Sequence, residues 1–332
     1  MLFFNLLIMS ILITISSNSW FGMWMGLEMN MLSIIPLMNN IKNLFSSESS
    51  IKYFITQALS SSIILFSMIL MIKMNNLIPP QLNYSMNLII NSVLLVKMGS
   101  APFHFWFPEI MEGLNWPMCL IMLTMQKINP MILISYNFYN IGFLSLIIIL
   151  NMLISGILGL NQTSIRKILT YSSINHIGWM LSSLMILETI WISYFFIYSL
   201  ILMNITIVLK MFNIFHTKQL ILFMSKTPKV NFFFMLNFMS LGGIPPFIGF
   251  LPKWLTIQQL INCEFYLISF SMIILTLITL FYYIRLMISS LNLNSNEINF
   301  LTFNFNSKFT ISYNNLINLI SLIFCTMIFN LT

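Results

Sequence analysis

The chain has 332 residues, 58% hydrophobic and 6% charged, with a mean hydropathy of +0.92 and a formal net charge of +7. Soluble domains carry about 25% charged residues, so this is an integral membrane protein with no room for a soluble domain. Its basic residues are scattered, which excludes a nucleic-acid footprint and leaves membrane topology as their meaning.

Eleven spanning helices are expected from apolar runs of about 20 residues, at 2–16, 20–38, 52–72, 85–110, 117–136, 141–160, 166–186, 189–211, 231–258, 264–288 and 311–331. The fold class is an all-α polytopic membrane protein with a single membrane domain over 1–332. The opening MLFFNLLIMSILITI lacks a charged leader and reads as a first spanning helix, not a cleaved targeting peptide. Glu28, in GLEMN, falls mid-way along the second helix, about 12 Å from either end at ~1.5 Å per residue. A carboxylate there must be protonated, paired or hydrated. Its bland reading is a structural partner to a polar neighbour; its functional reading is an intramembrane ionisable site.

The fourth run breaks at Gly99-Ser-Ala-Pro102, because glycine and proline interrupt helical hydrogen bonding. Lys97 lies just before the break, roughly 18 Å into the run. Its stem of about 6 Å is too short to snorkel from that depth, and the negative end of the first half-helix favours its charge. Glu28 and Lys97 are natural partners. His104 stands beside the break, and Glu109 and Glu112 read as solvated charges at the mouth of this helix. Lys127, in MQKINP, is mid-helix in the fifth run, with Pro130 loosening the next turn.

His176 ends a polar stripe, Tyr171-Ser-Ser-Ile-Asn-His176, through the seventh helix. It is either a satisfied core histidine or a proton relay. His216 reads as solvated in a basic loop. The ninth run breaks at Gly242-Gly-Ile-Pro-Pro246, with Lys253 following Pro252. Lys253 sits at the start of a resumed helix whose dipole opposes its charge, so it is expected to differ in basicity from Lys97. Snorkelling is its bland alternative. Cys119, Cys263 and Cys325 are far apart and read as apolar packers, with no iron–sulfur or zinc spacing.

Ten basic residues, Lys42, Lys52, Arg166, Lys167, Lys210, Lys218, Lys226, Lys229, Arg285 and Lys308, fall on the N-terminal side of the membrane; only Lys73 falls on the other. The positive-inside rule puts that side in the matrix or cytoplasm. Helices one to five (about 2–136) and six to ten (about 141–288) form two blocks, with the C-terminal helix (about 311–331) left over. Five crossings make the second block an inverted copy, and the fourth helix of each is the broken one, near 99–102 and 242–252. Paired broken helices at matching positions are how transporters build sites. No phosphate loop, dinucleotide fingerprint or nucleophile triad is present. Proton handling by buried amines and a carboxylate remains.

SNSWFGMWMGLEMNMLSIIP (17–36), KYFITQ (52–57), KMGSAPFHFWFPE (97–109), QKINP (126–130), GLNQTSIRKILTYSSINHIGWM (159–180) and SLGGIPPFIGFLPKW (240–254) together resemble the subunit 2 family of mitochondrial NADH:ubiquinone oxidoreductase, respiratory complex I. The resemblance covers about two-thirds of the chain, residues 17–254. With Phe and Met abundant and Asp absent, the composition fits an AT-rich invertebrate, insect-like mitochondrial genome. The resemblance implies an antiporter-like proton-translocating subunit of the mitochondrial inner membrane. Animal members lack three N-terminal helices of their bacterial relatives, which leaves eleven, with the N-terminus in the matrix and the C-terminus in the intermembrane space. It implies Glu28 and Lys97 as coupling pair, Lys127 as central relay and Lys253 as the residue facing the exit.

It also implies no redox cofactor in this chain; NADH, FMN, iron–sulfur clusters and ubiquinone are handled by other subunits. The implied partners are small core membrane subunits, the adjacent antiporter-like subunit and phospholipids, with no nucleic acid. Quinone reduction elsewhere would separate Lys97 from Glu28 and push a proton from Lys127 to Lys253. Two rivals stay open on the residues alone: a standalone cation/proton antiporter and a structural membrane subunit. The absence of Asp ligands tilts against a Na⁺ carrier.

Overall fold

A computed structural model describes residues 2–291, apart from 41–42, 75–79, 138–139, 227 and 246. The expected helix at 311–331 lies outside the described residues, as do Lys308 and Cys325. Fourteen helices follow in order: α1 (Leu2–Ser16), α2 (Trp20–Met38), α3 (Leu44–Met74), α4 (Pro80–Met98), α5 (Trp106–Gly113), α6 (Trp116–Leu123), α7 (Met125–Tyr136), α8 (Ile141–Leu160), α9 (Ile165–Leu184), α10 (Glu188–Phe212), α11 (Thr217–Lys226), α12 (Pro228–Gly242), α13 (Phe250–Asn262) and α14 (Tyr266–Leu291). Among the described residues the only extended pairing is one isolated bridge, Ser164 with His216. Among the described residues, six helices or helix pairs are long and apolar enough to cross a membrane: Trp20–Met38, Leu44–Met71, Trp116–Tyr136, Ile141–Leu160, Glu188–Phe212 and Tyr266–Ile288.

The chemistry is turned inside out relative to a soluble protein. Phe21, Leu32, Phe66, Leu146, Phe270 and Phe281 face outward, while Asn91, Asn129, Asn151, Ser173 and Lys127 are buried. Lipid accepts the apolar exterior, and the polar groups find partners inside.

The chain divides into two compact units, Met1–Asn151 and Met152–Thr332; the division falls within α8. In the first, Ser19 caps α2 by accepting the Gly22 N–H at 3.2 Å. Gly26 lets α2 press on α1, since a Cβ there would stand 2.4 Å from Thr14 Cγ2; small residues serve this purpose at membrane helix contacts. In the second unit α9 is buried almost all round, with Ser172, Ser173, Asn175 and His176 in its interior. α10, α13 and α14 pack against it.

Several boundaries differ from the sequence expectation, among them the start of α4 at Pro80, not 85. α3 begins at Leu44, because Ser46, Ser49 and Ser50 bond back to carbonyls three residues earlier and Glu48 pairs with Lys52 one turn on. The fifth run is interrupted at Thr124, whose Oγ1 donates to the Leu120 carbonyl at 2.7 Å; such back-bonding competes with the helix ladder. The stretch read as a basic loop contains α11.

Candidate functional site

Both expected breaks are present and close in the same way. α4 ends on Gly99 at φ +70, with Gly99 N–H bonded to Val96 O and Ser100 N–H to Leu95 O. α12 is followed by Gly243 at φ +76, with bonds to Ser240 O and Met239 O and Ile244 N–H also on Met239 O. This is the Schellman closure, in which a left-handed glycine lets two N–H groups cap the last carbonyls. It leaves the carbonyls of the last two helical residues for other donors.

In the first unit neutral groups meet this helix end. Gln57 Nε2 lies 3.5 Å from the free Lys97 carbonyl, and Trp106 Nε1 donates at 3.1 Å to Val96 O, which the Gly99 N–H also uses. Asn151 Oδ1 accepts the freed Ala101 N–H. Lys97 is the penultimate residue of α4, with its side chain buried at the negative end of the helix. Glu28, half-buried on α2, acts on Lys97 through its charge, and its Oε2 is buried without a hydrogen-bond partner. Among the described residues no salt bridge joins Glu28 to Lys97 directly.

Lys97 also lines a cavity of about 10 Å³ with Asn30, Tyr53, Gln57, Gln126 and Pro130. That is the threshold for one water molecule. Tyr53 Oη donates to Gln126 Oε1 at 3.0 Å, and Gln126 Nε2 donates to Asn30 Oδ1 at 2.9 Å. Gln126 is the chain neighbour of Lys127, which is 1% exposed in the first turn of α7. The Lys127 ammonium lies 6.0 Å from the ring of Phe107, the residue packed under Gly99. A buried cation over an aromatic face recovers part of its lost solvation. One turn of α7 thus carries Lys127, Asn129 bonded to Thr14 at 2.9 Å, and Pro130, which supplies no N–H to the ladder.

In the second unit the same end carbonyls take a cation. Lys253 Nζ donates to Gly242 O at 2.7 Å and reaches Leu241 O at 3.4 Å. Lys253 is buried, so it does not snorkel. Lys253 thus stands between two helix ends, the N-terminal turn of its own helix α13 and the negative end of α12 that it caps. Its ammonium also lies 5.7 Å from the Trp179 ring. Trp179 follows His176 by one turn of α9. His176 is buried, with Nδ1 2.8 Å from Tyr194 Oη and its ring 4.8 Å from Tyr198.

His104 is buried in the first break, where Nδ1 meets Pro102 O at 3.2 Å. Glu109 is exposed and bonded to Lys52 at 2.9 Å, and His216 is exposed. Sequence reasoning assigned no role to Asn30, Tyr53, Gln57, Gln126, Asn151 or Trp179. Polar residues in apolar runs were the available signal for the first five; Trp179 carried none.

Residues 17–279 match the family model described as NADH:quinone oxidoreductase/Mrp antiporter, TM. The chain belongs to this family. Among curated relatives, it is 50% identical to NADH-ubiquinone oxidoreductase chain 2 of Aedes aegypti over 332 residues, covering 99% of this chain and 97% of that one. It is 49% identical to NADH-ubiquinone oxidoreductase chain 2 of Anopheles gambiae over 325 residues, covering 97% and 93%. A chain in the structure of respiratory complex I from Thermus thermophilus with bound aureothin superposes with a TM-score of 0.83 at 20% identity, over 95% of this chain and 77% of that one. This last likeness shows a shared fold.

Proposed function

We propose that the chain is a proton-translocating, antiporter-like membrane subunit of mitochondrial NADH:ubiquinone oxidoreductase. It serves an H⁺-translocating NADH:ubiquinone reductase whose electron transfer occurs in other subunits, and it binds no redox cofactor itself. The insect relatives that carry this name at about half identity over nearly the whole chain support the assignment. The observation that carries it is Lys127, an amine 1% exposed inside an apolar helix pair. A scaffold gains nothing from such a group, because desolvating a cation costs several kcal/mol, of order ~3 or more.

The placement of each residue supports the following roles. Glu28 and Lys97 couple through charge in this reading; drawing Glu28 away alters the field at the cavity that Lys97 shares with Gln126. Two unit charges ~4 Å apart interact by about 4 kcal/mol near a protein surface, and ~1.4 kcal/mol changes proton occupancy tenfold. A displacement of a few ångströms is therefore enough to shift the proton on Lys127. Lys253, held on the α12 carbonyls, is the release-side amine, with His176 and His104 as accessory relays.

The basic-loop bias supports eleven spans in two inverted five-helix blocks plus a last helix, with the N-terminus in the matrix and the C-terminus in the intermembrane space. The membrane-arm neighbours are the small core subunits and an adjacent antiporter-like subunit, with phospholipids on the apolar exterior.

Lys127→Ala in the intact complex, reconstituted into liposomes, tests this reading. NADH-driven proton translocation is expected to fall by about 100-fold, the scale of a lost proton-transfer group. NADH oxidation by an artificial acceptor at the flavin should persist and report assembly. Unchanged pumping would leave the chain a scaffold.

A further inference from the structure

In the first unit the stretches that carry Glu28 and Lys127 are tied together by side-chain hydrogen bonds on both sides of each charge. Gln126, the residue before Lys127, donates through Nε2 to Asn30 Oδ1 at 2.9 Å. Asn129, two residues after Lys127, accepts through Oδ1 from Thr14 Oγ1 at 2.9 Å. Gln126 and Asn129 are three residues apart in α7 and so share one side of it. Their partners flank Glu28. Asn30 follows Glu28 by two residues of α2. Thr14 belongs to α1 but sits in the seam against Gly26, two residues before Glu28, where a Cβ would stand 2.4 Å from Thr14 Cγ2. Thr14, Asn30 and Asn129 are buried. Tyr53 of α3 donates to Gln126 Oε1 at 3.0 Å. With its oxygen held there, the Gln126 carboxamide turns its nitrogen toward Asn30.

We propose that these two bonds form a yoke that fixes the Lys127 turn of α7 to the α1–α2 pair, with Gln126 and Thr14 as positioning residues. The α2 segment bearing Glu28 and the α7 turn bearing Lys127 then shift together. Neither Gln126 nor Thr14 is asked to carry a proton. The condition of α7 makes the yoke necessary. The helix starts only after the interruption at Thr124, and Pro130 supplies no N–H to its ladder. A turn with few ties to its own helix is positioned by its neighbours. Packing alone would be served by apolar side chains of the same size, whereas a buried hydrogen bond holds one register, because breaking it strands two polar groups. Membrane helices gain no hydrophobic attraction for one another in lipid, and such bonds are what fixes them. The yoke rests on the proton-pumping reading above and deepens it by naming what keeps the two ionisable groups aligned.

The test is NADH-driven proton translocation in liposomes, divided by NADH oxidation with an artificial acceptor at the flavin, so that it is read per assembled complex. Gln126→Met keeps the length and removes both hydrogen-bonding atoms; Thr14→Val removes the hydroxyl at constant shape. Each alone leaves one tie and should lower the rate about threefold. Together they should lower it about 30-fold, beyond the roughly ninefold product, because the second cut frees the turn. A double effect no larger than the product would overturn the yoke in favour of two independent contacts. The exchange Asn30→Gln/Gln126→Asn keeps the pair and its combined length and should restore the rate. An exchanged complex as slow as Gln126→Met would also overturn the yoke, and this comparison decides should the double variant fail to assemble. Lys127→Ala is measured beside them. If it stops pumping while Gln126→Met/Thr14→Val pumps normally, the yoke is wrong and the pumping reading stands. If both pump normally, both fail.

Discussion

The two helix breaks share their backbone and differ in what they do with charge. In each, a left-handed glycine closes one half-helix, and a proline nine residues later is followed at once by an ionisable residue. In the first unit that residue is Glu109, which turns out to an exposed pair with Lys52. In the second it is Lys253, which folds inward onto the carbonyls of Leu241 and Gly242. The first break instead places its amine before the glycine, at Lys97, and satisfies the equivalent carbonyl with the neutral amide of Gln57. One closure thus serves as a rigid seat for two differently supplied cations. A buried ammonium needs acceptors, and a broken helix is where unpaired carbonyls are concentrated.

Replacing the cation of the second break should have the largest effect. Lys253→Met keeps the length of the side chain but withdraws the charge and the donor to two buried carbonyls. We expect proton translocation in liposomes to fall about 100-fold; pumping within twofold of the unsubstituted complex would show that the α12 seat is structural only. Gly243→Ala should come next. It imposes about 1–2 kcal/mol for the left-handed backbone and places a Cβ 2.7 Å from Lys253 Cδ. The expected result is a several-fold loss of pumping with a lower thermal midpoint for the complex. A stable complex with full pumping would mean that the lysine needs no fixed seat. The smallest effect belongs to Glu109→Gln, the counterpart of Lys253 in the first unit. Because both partners of this pair are exposed, pumping and thermal midpoint should be unchanged. A clear loss would show that the first break also uses its post-proline charge.

Much of this was legible from particular residues. Gly99 and Gly243 announced the breaks because glycine enters the left-handed region at little cost, and Pro102 because proline has no N–H to continue a helix. Lys97, Lys127 and Lys253 announced the sites because amines inside apolar runs have no cheap alternative. The interruption at Thr124 was not legible, since threonine is tolerated in a helix and breaks one only when its hydroxyl takes an i−4 carbonyl. Nor could the stretch 17–36 reveal that Asn30 would meet Gln126, ninety-six residues away along the chain.

The sequence alone determined that this is a membrane protein, where its helices break, which side chains are stranded in oil and which family it belongs to. Those are properties of composition and of a few neighbouring dihedral angles, and they survive any arrangement of the helices. Only the tertiary structure decided that Lys253 caps α12, that Asn151 serves the Ala101 amide and that His176 meets Tyr194. Hydrogen bonds between distant segments are selected by packing, because inside the membrane each buried polar group must be satisfied by whichever partner the neighbouring helix brings within reach.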